Sequence, residues 1–360
     1  MATVDLTNLV REKVKSLKAY QVENFDCEIK LHANENPFPP PAELLRQFDE
    51  SLKEIQLNRY PDPDCLRLKA AITEVNGFPA ESLVIGNGSD ELLHLILQIF
   101  CDAGESYSYP DPTFGMYSII GKGMGLVPQP FPLKENWDFN GDDFLKFLNE
   151  KKARVVFFSY PNNPTGNCYS AKEIEKVIEN FQGIVVLDEA YFDFAHKTFC
   201  QSIKEHNNLI VLRSLSKIGL AGLRVGYGIA NPLIIDQINK VRLPYNSNTV
   251  SQEFATRLLN NFAPVQEQID VILRERDRLI EGLSQLDFIT VFPTDSNFIL
   301  FRVHDDGDKL FKQLMKNGIL VRNLSAHPLL KNCLRITGGT AKENDRFLAQ
   351  LGKIGGTGNG

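Results

Sequence analysis

The chain has 360 residues, 39 Lys+Arg against 45 Asp+Glu, a net charge of −6 and 43% hydrophobic residues. At roughly 150 residues per domain it has room for two or three domains, or one large core with a satellite, and its apolar fraction excludes a disordered chain. The mild negative charge argues against a nucleic-acid binder, which needs a basic face, but it permits local arginine clusters that hold anions.

The opening stretch MATVDLTNLVREKVK has no basic run followed by an apolar core, so no signal peptide is read there. Leu6 to Lys18 has a helical apolar period and is expected to pack across a domain or a partner. Residues 31–41 (LHANENPFPPP) contain four prolines, which break helical and sheet ladders alike. A helix is predicted from Ala42 to Ile55, a short strand from Ser82 to Ile85, and a buried helix from Asp90 to Phe100 after the turn Gly86-Asn87-Gly88-Ser89. The longest apolar run, Leu92 to Cys101, contains His94 and Gln98 and falls well short of the about 20 residues that cross a bilayer. Arg154 to Ser159, Ile184 to Leu187, Leu209 to Leu212 and Val225 to Ala230 are continuous apolar strands separated by helical stretches. That pattern marks buried parallel strands of an α/β sheet.

Past Pro232 the texture changes. A long charged helix, Val271 to Leu286, precedes strands near Phe288 to Phe292 and Asn297 to Val303, a helix from Asp308 to Asn317, strands Ile319 to Val321 and Cys333 to Ile336, and a final helix. The expected organisation is an N-terminal arm (1–40), a large domain (41–255) and a smaller α+β domain (256–360) against which the arm can pack. The six cysteines are scattered without a C-x-x-C, and the six histidines are dispersed without an H-E-x-x-H. Reduced thiols in a cytoplasmic protein without a metal site are therefore expected.

Open α/β sheets bind ligands beyond the carboxyl ends of their strands. After the strand at 154–159 comes YPNNPTG (160–166); after 184–187 comes Asp188-Glu189-Ala190-Tyr191; after 209–212 comes Arg213-Ser214-Leu215-Ser216-Lys217, followed by Gly219, Gly222 and Arg224; after 82–85 comes Gly88-Ser89-Asp90. Taken singly these are ordinary turn, cap and loop residues. Taken together they supply what pyridoxal 5′-phosphate needs: a lysine amine for the aldehyde (Lys217), a carboxylate for the ring nitrogen (Asp188), and free N–H groups, hydroxyls and an arginine for the phosphate (Gly88, Ser89, Ser214, Ser216, Arg224).

HANENP (32–37), NRYPDP (58–63), GNGSDE (86–91), PDPTFGMY (110–117), YPNNPTG (160–166), LDEAY (187–191), SLSKIGLAGLRVGY (214–227) and LRITGGT (334–340) together resemble the fold-type I aminotransferases over nearly the whole chain. The NRYPDP, PTFGMY and LRITGGT versions are similar to the histidinol-phosphate aminotransferases among them. The resemblance implies a large domain with a mostly parallel seven-stranded sheet flanked by helices, a small C-terminal domain, and a homodimer with a shared site. It implies Lys217 as the Schiff-base lysine and proton shuttle, Asp188 at the pyridinium nitrogen, Asn163 and Tyr191 at the ring hydroxyl, and Phe114 on the ring face. Many relatives carry Tyr at the Phe114 position, so a hydroxyl role is lost here. Gly88, Ser89, Asp90, Ser214, Ser216 and Arg224 would surround the phosphate, and Tyr60 would reach the cofactor of a partner subunit.

Arg335, assisted by Arg322, would hold the substrate anion. Tyr20 and Asn34 are further candidates for substrate contacts, with HANENP as a structural loop the alternative. The seven positions from Lys217 to Arg224 are one fewer than in many relatives, and Gly219 and Gly222 are expected to give the backbone its path. The implied reaction transfers the amino group of L-histidinol phosphate to 2-oxoglutarate, giving imidazole acetol phosphate and L-glutamate in histidine biosynthesis. An aromatic-amino-acid aminotransferase or a pyridoxal-phosphate-dependent phospho-amino-acid decarboxylase would share the cofactor residues.

Overall fold

The computed structural model describes residues 5–17 and 25–356. The N-terminal stretch is two short turns rather than one helix: a 3-10 turn at Leu6–Leu9 and α1 at Glu12–Lys15. The first sheet strand, β1 (Ile29–Lys30), follows, and helices α2 (Ala42–Leu52) and α3 (Leu66–Asn76) lead into the main sheet.

That sheet has seven strands in the order β2-β8-β7-β6-β5-β3-β4. β5 (Ala153–Ser159), β6 (Ile184–Asp188) and β7 (Leu209–Ser214) run parallel at its centre. Their side chains alternate between two cores, because successive residues of a strand point to opposite faces. Val155, Phe157, Val186 and Ile210 pack under α4 (Ser89–Phe100), α5 (Met116–Met124) and α9 (Pro232–Val241). Val156, Phe158, Val185 and Val211 pack on the other face, under α6 (Gly141–Glu150), α7 (Ala171–Asn180) and α10 (Thr249–Asn260). Burial on both faces is why these strands read as unbroken apolar runs.

Two strands of this sheet lie outside the sequence expectation. β3 (Ser106–Asp111) and β4 (Val127–Pro132) form the edge beside β5, all parallel. β4 reads VPQPFP, which argues against a strand. The flanking bonds explain it: Val127 N–H donates to Glu105 O and Leu133 N–H to Asp111 O, both at 2.9 Å. Odd-numbered amides therefore face β3, and Pro128, Pro130 and Pro132 take the outward positions, where an edge strand tolerates a missing N–H.

A second difference concerns β8 (Val225–Ala230), expected among the parallel strands. It runs antiparallel to both β7 and β2 (Leu83–Asn87). Its start therefore lies at the same sheet edge as the carboxyl ends of β2, β5, β6 and β7.

The remaining strands build smaller sheets. β9 (Ile289–Val291), β10 (Phe298–Val303), β12 (Arg322–Asn323) and β13 (Cys333–Thr337) form an antiparallel sheet in the order β12-β13-β10-β9. β1 pairs in parallel with β11 (Ile319–Leu320). α12 (Gly307–Lys316) and α13 (Ala341–Gly356) cover them. The long helix α11 (Ala263–Ser284) begins well before the expected Val271, with Pro264 in its first turn. Its Val265, Ile269 and Ile272 belong to the main core and its Leu279 and Leu283 to the core of the small sheets.

Behind β6 and β7 lies a buried ion pair. Arg213 and Glu189 are 7% and 1% exposed and meet at 3.0 Å. Glu189 also accepts from Thr198 Oγ1 and Phe199 N–H, and the Arg213 guanidinium lies 3.5 Å from the centre of the Phe192 ring. Removing one member of such a pair leaves the other charge stranded. Glu189→Ala should lower the unfolding free energy in urea by about 3–5 kcal/mol, and Glu189→Leu combined with Arg213→Met should recover most of that loss.

Candidate active site

At the shared edge of the main sheet a cleft of about 440 Å³ opens toward β12 and β13. It is lined by Asn34, Ser89, Asp90, Phe114, Asn163, Asp188, Tyr191, Ser214, Ser216, Lys217, Arg224, Arg322 and Arg335.

Asp188 closes β6 and is 3% exposed. Its Oδ2 accepts a 2.9 Å bond from the Tyr117 hydroxyl, whereas its Oδ1 is buried without a hydrogen-bond partner. Burial pushes the carboxyl up to about 6, against the pull of the Tyr117 hydroxyl. A buried carboxylate oxygen without a donor is costly, and a protonated ring nitrogen is the kind of group that would satisfy it. Lys217 sits in the 3-10 turn Leu215–Ile218 directly after β7, with Nζ 3.4 Å from Ala33 O and 5.8 Å from the centre of the Tyr191 ring.

The anion end is built by β2, α4 and the start of β8. Gly88 at φ +78° turns the chain into α4, exposing the helix amides at Ser89. Arg224 donates to Ser216 Oγ at 3.3 Å and to Asp90 Oδ2 at 2.9 Å. The shortened loop thus brings Arg224 to Ser216 and α4, because β8 enters the sheet from this edge. One detail of the expected path is corrected: Gly219 is left-handed at φ +115°, but the other left-handed residue is Arg224 itself at φ +53°, not Gly222. A Cβ on Gly226 would lie 2.3 Å from Ser89 N, so only glycine lets β8 pass this close to the helix start. Ser214 Oγ accepts from Ser216 N–H at 3.2 Å and so shapes the turn that carries Lys217.

A third group links the loop at 32–34 to the small sheet. The Tyr191 hydroxyl accepts from Asn34 Nδ2 at 2.9 Å and from Asn163 Nδ2 at 3.3 Å. Asn163 Oδ1 accepts from Arg335 Nη1, and His32 O accepts from Arg335 Nη2 at 2.6 Å. Arg322 stands opposite Arg335 across the β12–β13 pair. Asn34 lines the cleft but is 1% exposed, and its amide donates to Tyr191 through Nδ2 and accepts from Thr337 Oγ1 through Oδ1, which ties the HANENP loop to the site.

Phe114 reaches the cleft and meets Tyr117 edge-on at 5.6 Å and 89°. Tyr60 lies outside the cleft, 80% exposed and stacked on Tyr245 at 4.4 Å. Tyr20 falls outside the described residues. Sequence reasoning missed Tyr117, although it stands in PTFGMY three residues after Phe114.

These parts fit pyridoxal phosphate: Asp188 Oδ1 for the ring nitrogen, Lys217 for the aldehyde, and Ser89, Ser216 and Arg224 for the phosphate. A Cβ on Gly88 would lie 2.5 Å from Arg224 Nη2, in a backbone region L-residues avoid. Gly88→Ala should weaken pyridoxal phosphate binding by about tenfold or more, as read by fluorescence titration, with a near-native circular dichroism spectrum.

The sequence matches the family described as aminotransferase class I and II over residues 27–351. A histidinol-phosphate aminotransferase of Thermoanaerobacter pseudethanolicus is 41% identical over 350 residues, covering 97% of this chain and 99% of that one. The crystal structure of the histidinol-phosphate aminotransferase from Clostridium acetobutylicum superposes with a TM-score of 0.85 at 27% identity, covering 91% of this chain and 99% of that one. The fold is also shared with the Sinorhizobium meliloti histidinol-phosphate aminotransferase, solved in complex with pyridoxal-5′-phosphate, at a TM-score of 0.87 and 23% identity, covering 97% and 98% of the two chains.

Proposed function

Since the chain belongs to the class I and II aminotransferases, we propose that it transfers the amino group of L-histidinol phosphate to 2-oxoglutarate, as a pyridoxal-phosphate enzyme of histidine biosynthesis. The observation that carries this reading is the buried, donorless Oδ1 of Asp188 in one cleft with Lys217, an anion cradle and two arginines. The 41% identity with a histidinol-phosphate aminotransferase over nearly the full length supports the substrate.

When bound, pyridoxal phosphate supplies an aldehyde that joins covalently to amines and a ring that draws electrons from the amine's α-carbon. The chain's own residues do the rest. Lys217 Nζ would hold the aldehyde until the donor amine arrives and, once freed, would take the proton from the donor α-carbon and give it up again on the cofactor side. Asp188 holds a negative charge against the ring nitrogen and keeps it protonated. Asn163 and Tyr191 donate at the ring hydroxyl, and Phe114 covers the ring face. Ser89, Ser216 and Arg224 hold the phosphate, with Asp90 fixing the guanidinium.

Arg335 and Arg322 receive the substrate anion, which is a phosphate in one half-reaction and a carboxylate in the other; a guanidinium fork accepts both. Arg335 also donates to Asn163 Oδ1 and His32 O, which aim its guanidinium.

Lys217→Ala should lower turnover by about 10³-fold or more while the protein stays folded; a variant with normal ping-pong kinetics would overturn the assignment. A donor panel with 2-oxoglutarate, comparing histidinol phosphate with phenylalanine, tyrosine and phosphothreonine, tests the substrate. Histidinol phosphate should win in kcat/KM, and a phenylalanine preference of orders of magnitude would refute the substrate while keeping the transaminase.

The proposal includes a cytoplasmic homodimer in which Tyr60 reaches the cofactor phosphate of the partner subunit. Leu57, Tyr60, Leu66 and Leu243 are 76%, 80%, 61% and 71% exposed, which is the apolar surface a subunit contact would cover. Among the described residues no helix is long and apolar enough to cross a membrane. Sedimentation should give twice the 40.6 kDa chain mass, and Tyr60→Ala should weaken cofactor retention.

A further inference from the structure

Tyr117 is 1% exposed, and its hydroxyl donates at 2.9 Å to Oδ2 of Asp188, which lines the cleft. Three contacts fix the ring. It stacks on Phe157 of β5 at 5.0 Å and 14°, meets Phe114 edge-on at 5.6 Å, and lies 6.1 Å from Tyr109. The residue opens α5, whose far end is tied to the N-terminal segment by Arg11 on Met124 O and Lys13 on Gly125 O, cations at a helix C-terminus. The phenol therefore cannot swing away from Asp188 without breaking a packed aromatic cluster.

We propose that Tyr117 is a positioning residue for the reaction: its hydroxyl binds Asp188 Oδ2, turns Oδ1 toward the ring nitrogen of the cofactor, and keeps the carboxylate ionised. The inference rests on the reading of Asp188 given above. The charged groups facing Asp188 are Lys217 from the turn after β7, which favours ionisation, and Asp90 from α4, which opposes it. Glu189, next in sequence, is turned away and paired with Arg213. With burial as the largest influence, Tyr117 is the chief counterweight. Its own proton stays on, since burial and then the nearby Asp188 hold the phenol well above its usual range. It is thus a donor at every working pH. Without the hydroxyl, burial acts with less opposition and Asp188 takes up a proton at higher pH.

Tyr117→Phe keeps the ring and removes only the donor. It should raise the pyridoxal phosphate dissociation constant several-fold at pH 8 and more steeply at pH 6. The acid limb of kcat should move up by about one pH unit, with little change in the KM of the amine. Phe157→Leu serves as the packing comparison, since it loosens the stack but keeps the hydroxyl. It should lower the melting temperature and move the acid limb less than Tyr117→Phe does.

Two results would overturn the proposal. In the first, Tyr117→Phe keeps wild-type cofactor affinity at both pH values and a wild-type acid limb while Asp188→Asn weakens cofactor binding. Asp188 then keeps its role without Tyr117. In the second, Asp188→Asn also leaves cofactor binding unchanged, and the reading of Asp188 falls together with the inference built on it.

Discussion

A carboxylate buried with one oxygen lacking a donor is the constraint on which the rest of this site depends. Asp188 ends the central strand, and water that would solvate it is excluded by the aromatic cluster of Phe114, Tyr117 and Phe157. Ionised, it demands a cation or a donor; protonated, it would lose its use. Tyr117 answers half of the demand at Oδ2 and leaves Oδ1 without a hydrogen-bond partner. The neighbouring Glu189, just as buried, is answered fully by Arg213, Thr198 and Phe199. Two adjacent carboxylates on one strand end thus have opposite fates: one completes the scaffold, and the other waits for a ligand.

The second organising feature is the direction of β8. Because it is antiparallel to β7, the chain turns back immediately after Lys217 and re-enters the sheet beside β2. The amine and the phosphate arginine are therefore set on the two sides of one tight reversal. Gly226 then lets the strand pass against the first amide of α4. A crossover helix in this place would have carried Arg224 away from the edge.

How legible this was follows from the physics of each element. β5, β6 and β7 announced themselves because burial on both faces makes their middles unbroken apolar runs, with polar residues only toward their ends. Lys217, Asp188 and Asn163 were found for the same reason, as the polar residues standing where those runs stop. β3 and β4 stayed hidden, since Ser-Tyr-Ser-Tyr and Val-Pro-Gln-Pro lack the apolar run, and the permission for proline comes from an edge position that sequence does not reveal. The direction of β8 leaves no mark in its residues. The bonds of Asn34 left no mark in the sequence because its partner Thr337 is 303 residues away: short-range pattern shows that an asparagine stands in a loop but not what its amide holds. Tyr117 was overlooked because an aromatic residue at a helix start is ordinary core material until the carboxylate beneath it is seen.

The prolines of β4 have a consequence for the molecule as a surface. Along that border of the sheet every outward-facing amide position is a proline ring, so the edge presents carbonyl oxygens and no backbone hydrogen at all. A foreign strand that tried to extend the sheet there would find acceptors for its own amides and nothing to satisfy its carbonyls. The border is closed by its chemistry, with no helix or loop needed to guard it, and growth of this sheet into a neighbouring chain is blocked on that side.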